Sequence, residues 1–420
     1  MEKNKRKKRA LPILLGILAS LALTALIFMH FGGFTTGKSA DPAEFKAAAG
    51  TVGDITVPGN VSIVALGEAT HGNAEFQALK LDVFKRLVET CGVRALALEG
   101  DYGGCEQVNR YIHGGDGTAA EAAAAIGFAI YRTDEMAALI SYMRAYNDTA
   151  AAGDDLRFYG FDMQRCGYNV RFLTESCRAL GVDTGEIEKL SDGEDWSNCY
   201  DTAAREDILL RAKAALEKKN APAKDVRYAD ILLQNCALQT VLADKSEDYG
   251  VERDRYMAEN TLWILEQERA LGYQRIFVTA HDGHIAKWGS FDQMGKFLSD
   301  ALGSDYFSIG TDFYKTRCNL PLGSDGRRTK QTFYSHDPLA KAAKKAGLPL
   351  CYLDFEKVGE NTPLSSVING YTYMGTLGEG YSLLMRLLPP SYRLFQPPAE
   401  LYDGMIFVSD AHPTKILPAE

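Results

Sequence analysis

The chain lacks the short motifs by which several large enzyme classes are recognised. It contains no G-x-S-x-G nucleophile elbow, which argues against a serine hydrolase of that type. It also contains no H-E-x-x-H zinc motif, and no G-x-G-x-x-G follows its first strand, as a dinucleotide site would require. The glycines between residues 375 and 380 have the wrong order and context for such a site, so we interpret that segment as a loop.

Paired cysteines and basic patches are also missing from the body of the chain. The eight cysteines form no C-x-x-C pair, so a structural zinc site is not indicated. Acidic residues outnumber basic ones by 55 to 46, and a net charge of -9 without a basic stripe argues against a nucleic-acid partner. The hydrophobic content of 46% in 420 residues is that of an ordinary globular protein with a large core.

Basic residues do cluster at the N terminus, where MEKNKRKKRA precedes an uncharged apolar run over residues 11–29. The run is about long enough to span a bilayer, and the basic cluster before it predicts a cytoplasmic N terminus. We predict that residues 1–31 form this basic segment and a transmembrane anchor, with a cleaved signal peptide as the alternative. Residues 32–50 are then a linker, and residues 51–420 form one α/β domain.

A strand-helix-strand unit opens that domain. An apolar run over residues 61–66 predicts a buried strand, and Gly67, Glu68 and His71 follow it at once. Apolar residues at three- and four-residue spacing predict an amphipathic helix over residues 76–88. The next strand, over residues 95–98, ends at Glu99. Ligands of open parallel sheets bind outside the carboxyl ends of the strands, which is where these acids and the imidazole lie.

Further strands alternate with helices along the chain. Residues 156–161 form a strand that ends at Asp162, and residues 275–280 form one that runs into His281 and His284. Later strands are predicted at 306–311, 350–355 and 405–409, and the segment from about 170 to 271 is almost wholly helical. The pattern predicts an α/β fold with a mostly parallel central sheet flanked by helices, and with a helical insertion or cap.

Imidazole and carboxylate groups are therefore the chemistry that the sequence offers. His71 can act as a general base, and Glu68, three residues before it, can fix the tautomer of its ring. His281 and His284 share a face of a helical turn and could polarise a carbonyl, stabilise an oxyanion or bind a metal. We favour a metal-free acid–base site without a cofactor. A metal site, or a purely structural role in turns and helix caps, is the alternative.

Lys80 falls on the apolar face of the first predicted helix, between Phe76 and Phe84. A lysine in that place must either reach water at the edge of the face or meet an acid. Glu68 and Glu99 are the candidate partners, and the spacing alone leaves both outcomes open.

Several segments together resemble the erythromycin esterase family. They are GEATHG at 67–72, EF at 75–76, LE at 98–99, VNRY at 108–111, YGFD at 159–162, RD at 253–254 with MA at 257–258, AHDGH at 280–284, and YDGMIF at 402–407 up to His412. The resemblance extends from about residue 55 to the C terminus. It implies an α/β hydrolase that opens macrolide lactones with water, and hence a role in antibiotic resistance.

The resemblance also implies roles for individual residues. His71 is implied to activate water, Glu68 and Glu99 to orient it, and Lys80 stands where the family usually has arginine. With the strand ends, the predicted site comprises His71, Glu68, Glu99, His281 and His284 as catalytic residues and Lys80, Asp162 and Arg253 as substrate-binding or supporting residues.

We therefore predict a hydrolase of carboxylic esters or lactones that acts on a small molecule. Two other functions stay open at this point: a metal-dependent hydrolase or protease of a related fold, and a non-catalytic protein that binds a haem-like ligand. The predicted location is membrane-anchored with an extracytoplasmic domain, or secreted if the N-terminal segment is cleaved.

Overall fold

The computed structural model describes residues 2–30, 38–190, 202–244, 248–289, 291–323, 326–385 and 388–418. The strands are β1 Ala49–Gly50, β2 Ile63–Glu68, β3 Ala95–Asp101, β4 Arg157–Asp162, β5 Ile276–His281, β6 Tyr306–Pro321, β7 Arg328–Tyr334, β8 Leu350–Asp354, β9 Thr372–Gly375, β10 Arg393–Gln396 and β11 Gly404–Ala411. The helices are α1 Glu2–His30, α2 Pro42–Ala48, α3 Ala74–Cys91, α4 Tyr102–Ile112, α5 Ala119–Ala125, α6 Asp134–Asn147, α7 Gly167–Ala179, α8 Thr202–Lys218, α9 Ala223–Ala243, α10 Tyr249–Ala270, α11 Asp282–Ile285, α12 Met294–Leu302, α13 Pro338–Lys345, α14 Pro363–Ile368 and α15 Pro398–Leu401.

A mostly parallel sheet forms the centre of the fold, in the order β1-β8-β11-β6-β2-β5-β3-β4. The strands from β11 to β4 in this order run parallel to one another. Antiparallel pairing occurs where β8 joins β11, where β1 joins β8, and where β7 folds back on β6. The predicted mixed α/β fold with a central sheet flanked by helices is confirmed.

Helices cover both faces of the sheet because its central strands are apolar on both sides. In β2, Ile63 and Ala65 contact one buried cluster, whereas Val64 and Leu66 contact the other. The helix α3 packs its apolar stripe on the second cluster, and α10 and α12 pack on the first. Parallel sheets are covered on both faces in this way, which explains the unbroken apolar runs that the sequence shows.

Between β4 and β5 the described residues form the helices α7, α8, α9 and α10. This is the interval for which the sequence predicts a helical excursion, and residues 191–201 and 245–247 within it lie outside the described residues. The helix α10 also packs against β3, β4 and β5, and thereby carries residues 253 and 254 to the sheet.

The N-terminal segment forms the helix α1. Among the described residues, no helix is both long enough and apolar enough to cross a membrane. The structure therefore gives no support to the predicted anchor over residues 1–31. Residues 42–50 of the predicted linker belong to α2 and β1, while its residues 32–37 lie outside the described part of the chain.

Candidate functional site

The four strands whose ends carry the predicted site residues are consecutive neighbours in the sheet, in the order β2-β5-β3-β4. Their carboxyl ends lie at one edge because all four run parallel. Glu68, the last residue of β2, is directly opposite His281, the last residue of β5. Topology thus brings together side chains that lie more than 200 positions apart in the sequence.

Glu68 is the centre of a buried polar cluster at the end of β2. Its side chain is 1% exposed, and one carboxylate oxygen accepts a hydrogen bond from Nδ1 of His71. The other oxygen accepts from Lys80 Nζ at 2.5 Å and from Gln77 Nε2 at 3.0 Å. Lys80 is itself 1% exposed, so the lysine meets an acid rather than water, and that acid is Glu68.

The charges in this cluster set the protonation states of Glu68 and His71. Burial raises the pKa of Glu68, but the charges of Lys80 and His71 outweigh it and lower the pKa to about 2. Burial lowers the pKa of His71, but the Glu68 carboxylate outweighs it and raises the pKa above 6.5. An ionised carboxylate only accepts hydrogen bonds, so Nδ1 of His71 carries a proton. Nε2 forms no hydrogen bond to any described residue and keeps its lone pair when the ring is neutral.

His281 lies beside His71, with 5.1 Å between the ring centroids. The backbone N–H of Gly283 donates to its Nδ1 at 3.2 Å, so Nε2 carries the proton and donates to the Leu377 carbonyl at 3.1 Å. Burial and the neighbouring imidazoles lower the pKa of His281 to about 4. This histidine is therefore neutral at physiological pH and has both ring nitrogens occupied.

An arginine joins the ends of β3 and β4. Nη2 of Arg253, on α10, donates to Glu99 Oε1 at 2.8 Å and to Asp162 Oδ2 at 2.6 Å. The other oxygen of Glu99 accepts from the backbone N–H of His281 at 2.9 Å. Burial raises the pKa of Glu99, but the charges of His284 and Arg253 outweigh it and hold the pKa well below 4.5.

His284 stands between two carboxylates. Its Nδ1 lies 2.8 Å from Asp254 Oδ1, and its Nε2 lies 3.3 Å from Glu99 Oε1. Burial lowers the pKa of His284, but the charges of Glu99 and Asp254 outweigh it and raise the pKa to about 10. His284 is thus an imidazolium at neutral pH, next to the Arg253 guanidinium, whose Nη1 lies 3.3 Å from Nε2.

Gly67 is required by the close packing of this edge. A Cβ atom at that position would lie 1.8 Å from Oδ1 of Asp282, the first residue of α11. Asp282 in turn accepts from the backbone N–H of Thr311 at 3.1 Å, and Thr311 Oγ1 accepts from the backbone N–H of Ala69 at 2.7 Å. The turn that carries His71 is therefore held to β6 through contacts that leave no room for a side chain at residue 67.

Comparison with known proteins adds an independent observation. The family model described as erythromycin esterase matches residues 88–411, more than three quarters of the chain. The chain belongs to the erythromycin esterase family. It is 27% identical over 299 residues to erythromycin esterase type II from Escherichia coli, and the aligned region covers 61% of this chain and 70% of that one. It is 26% identical over 405 residues to the putative hydrolase YbfO from Bacillus subtilis, covering 84% and 85%.

Solved structures show the same fold. A crystal structure of a Bacillus cereus protein superposes with a TM-score of 0.76 at 22% identity, covering 90% of this chain and 98% of the other. A mutant of the erythromycin esterase EreC in its open conformation superposes with a TM-score of 0.58 at 15% identity, covering 86% and 93%. The fold of the erythromycin esterase family is therefore present, and the family indicates a hydrolase.

In this member of the family the site includes residues that sequence reasoning missed. Gln77 bridges Glu68 and Lys80, accepting from Lys80 Nζ at 3.0 Å. Asp254 forms a hydrogen bond with Nδ1 of His284, although the resemblance to the family assigned no role to it. The Tyr131 ring lies 5.8 Å from Lys80 Nζ, and its buried hydroxyl has no hydrogen-bond partner among the described residues. Gln77 shares the helix face of Lys80, which is a signal that could have identified it.

A metal centre would need donor atoms of this site that are not already engaged by protein groups. His281 and His284 use both ring nitrogens for contacts with protein groups. Within the described ranges, no group of three or more His, Cys, Asp or Glu side chains could hold a metal ion. His281 and His284 thus use their ring nitrogens for hydrogen bonds and ion pairs within the protein.

One further sequence pattern lies away from the site. Residues 32–39, GGFTTGKS, have the residue order of a phosphate-binding loop, which requires a preceding strand and a following helix. The element before this segment is the helix α1, and residues 31–37 lie outside the described residues. Lys38 donates to the carbonyl of Ser366 at 3.2 Å, on the surface of the α/β domain. We assign no nucleotide site to it.

Proposed function

We propose that the protein hydrolyses carboxylic esters or lactones with a water molecule that His71 activates. The observation that carries this proposal is the Glu68–His71 pair, in which Glu68 fixes the proton on Nδ1 and Nε2 is left without a partner among the described residues. A neutral imidazole with a free Nε2 is the form that a general base must have. Glu68 and Lys80 keep that arrangement buried and rigid.

In the proposed reaction, water attacks the ester carbonyl while its proton moves to Nε2 of His71. The carbonyl oxygen becomes an oxyanion in the tetrahedral intermediate. When the intermediate collapses, the C–O bond to the alcohol breaks, and the leaving oxygen takes the proton back from Nε2. The products are a carboxylic acid and an alcohol, which stay in one molecule when the substrate is a lactone.

In this proposal, two cationic side chains stabilise the oxyanion. His284 and Arg253 form a cationic pair next to His281, and Asp254, Glu99 and Asp162 fix their orientation. Preorganised cations of this kind stabilise developing negative charge without reorganisation during the reaction. The His281 ring lies next to those of His71 and His284, with 5.1 and 6.4 Å between ring centroids, and its hydrogen bond to the Leu377 carbonyl holds the segment after β9 at the site.

The family supports a choice of first substrate. The Escherichia coli relative is named erythromycin esterase type II, so a macrolide lactone is the first substrate to test, with a role in antibiotic resistance as its consequence. The extracytoplasmic, membrane-anchored location is a separate proposal, drawn from the basic and apolar N-terminal segments. Protease accessibility in intact cells, with lysed cells as the control, tests it.

Hydrolysis of erythromycin and of simple esters by the purified full-length protein, with and without a chelator, tests the proposed reaction. We expect turnover that survives the chelator. His71→Ala should reduce kcat by about 10²- to 10⁴-fold, the usual contribution of a general base. His113→Ala, which removes an exposed histidine of the same chain, is the matched control.

The outcomes separate the candidate functions. Full activity of a folded His71→Ala protein would refute the proposed base. Turnover lost on chelation and restored by zinc or manganese would favour a metal-dependent hydrolase or protease. Absence of turnover on every ester, together with a bound chromophore, would favour a haem-like ligand-binding protein.

A further inference from the structure

A second arginine lies close to the turn that carries His71. Arg328, at the start of β7, donates from Nη2 to the Asn319 carbonyl at 2.8 Å. The backbone N–H of Asn319 donates to the Gly72 carbonyl at 2.9 Å, and Gly72 follows His71 in the chain. The guanidinium of Arg328 is therefore joined to the catalytic turn through one strand residue. It does not belong to the Glu99 and Asp162 network.

Arg132 flanks the same turn from another direction. It follows Tyr131, whose ring faces the buried lysine of the site. The carbonyl of Arg132 accepts from the backbone N–H of Leu417 at 2.7 Å, and three residues earlier the N–H of Thr414 donates to the Gly72 carbonyl at 3.0 Å. The C-terminal segment thus ties Arg132 and Gly72 to one another.

These two guanidinium groups are incompletely neutralised. Arg132 has no hydrogen bond or ion pair from its side chain to any residue the structure describes, and its Nε is buried. The Nε of Arg328 is likewise buried without a partner in the described ranges. Its only described acidic contact is Glu379, at 3.3 Å, on a side chain that is 49% exposed. An ion pair whose carboxylate is this exposed to water contributes little to stability.

Electrostatics supports the proximity of the two arginines to each other and to the site. Burial lowers the pKa of Arg328, Glu379 opposes this, and the charge of Arg132 lowers it further. Glu379 also acts on His71, whose pKa its charge raises. Two like charges with desolvated Nε groups destabilise a protein unless an anion offsets them.

We propose that Arg132 and Arg328 bind an anionic group of the substrate, a carboxylate or a phosphate, at a position separate from the reacting carbonyl. The inference rests on the proposed ester hydrolysis and adds a preference among its substrates, for esters that carry a negative charge. Guanidinium groups bind carboxylate and phosphate oxygens through paired N–H donors, which suits two of them near the turn of His71. Glu379 is the internal carboxylate that the substrate anion displaces from Arg328.

The test uses two esters that differ in one charge, mono(4-nitrophenyl) succinate and its methyl ester. We expect the full-length protein to hydrolyse the anionic ester with the higher kcat/KM. Arg132→Gln and Arg328→Gln should each lower the ratio of the two kcat/KM values by about tenfold or more, mainly through KM of the anionic ester. Arg317→Gln removes an exposed arginine from β6 and should leave the ratio as it is.

An unchanged ratio in both folded variants, or a wild-type protein without preference for the anionic ester, would overturn the inference while leaving the ester hydrolase intact. If neither ester is hydrolysed, the proposed function fails, and thermal stabilisation by free succinate and by inorganic phosphate becomes the test of the arginine pair. Stabilisation by either anion that both variants lose supports the pair, and its identity distinguishes carboxylate from phosphate. Equal stabilisation in variants and wild type, or none at all, refutes it. Arg132→Lys and Arg328→Lys, which keep the charge, replace any glutamine variant that does not fold.

Discussion

Replacing Glu68 by glutamine perturbs the charge network beneath His71 with little change in shape. The substitution leaves the Lys80 ammonium, 1% exposed, without its counter-ion. Burial raises the pKa of Glu68, and the charges of Lys80 and His71 bring it from 4.5 down to about 2. At about 1.4 kcal/mol per pH unit, that drop corresponds to about 3 kcal/mol of stability at neutral pH.

The sign of this contribution fixes its pH window. The pKa of Glu68 is lower in the folded protein than in the unfolded chain, so the contribution is complete above pH 4.5 and disappears as the pH falls to 2. Urea unfolding at pH 7 should therefore show Glu68→Gln to be about 3 kcal/mol less stable than wild type. The difference should shrink steadily below pH 4.5.

A second substitution distinguishes the loss of a charge partner from a general loss of packing. Lys80→Met in the Glu68→Gln background removes the unpaired ammonium but keeps the length of the side chain, so it should restore much of the stability. A loss below about 1 kcal/mol for the single variant, the value of an exposed ion pair, would refute the reasoning. A double variant that is less stable than the single one would refute it as well.

The same variant changes the pH dependence of ester hydrolysis. Because the pKa of His71 is raised above 6.5 and a general base must be unprotonated, wild-type activity should rise with pH through a midpoint above 6.5. Without the Glu68 charge the midpoint should move to lower pH, and kcat should fall as the tautomer of His71 is no longer fixed. A midpoint that does not move would show that the two residues are not coupled.

Two further substitutions test other parts of the site. Asp254→Asn should lower the pKa of His284 from about 10 and reduce kcat by up to about 100-fold at a nearly constant KM. NMR titration of the His284 imidazole measures the pKa, and steady-state kinetics measure kcat and KM. An unchanged pKa of His284 would contradict the role of Asp254. Gly67→Ala should destabilise the protein by about 1–3 kcal/mol or more, because its Cβ would lie 1.8 Å from Asp282 Oδ1. Gly250→Ala, on α10 with open space around it, should instead raise the free energy of unfolding by less than about 1 kcal/mol. Equal urea midpoints for the two variants would contradict the packing argument.

The strand ends illustrate what the sequence could predict. Buried parallel strands appear as short apolar runs, and the acid or imidazole that follows each run marks its carboxyl end. The sequence thus placed Glu68, Glu99, Asp162 and His281 at one edge without any contact information. Strand order did not follow from it, although that order makes the four ends consecutive neighbours.

Lys80 shows where sequence reasoning stops. Helical spacing placed it on the apolar face but left its partner open, because side-chain reach depends on the distance between α3 and the sheet. Leu377 acts through its carbonyl oxygen, which every residue has, so no residue type indicates its contact with His281. The strand β7, which folds back on β6, and the strands β9 and β10, which form a separate two-stranded sheet, were missed because they lack the unbroken apolar runs of the central strands. The N-terminal anchor rested on composition alone, and the structure gives it no support.

The place of β11 in the sheet has a consequence for the order in which the protein matures. This strand lies between β8 and β6, so until it is in place β6 presents an open edge and β8 pairs only with β1 among the described strands. The residues just after β11 also bond the turn of His71, through the His412 carbonyl to Ala74 and the Thr414 N–H to Gly72. A chain emerging from the ribosome can therefore form helices and pair its early strands long before it can hold His71 in position. During synthesis, the hydrogen bonds that hold the turn of His71 to the C-terminal segment can form only after β11 has been made.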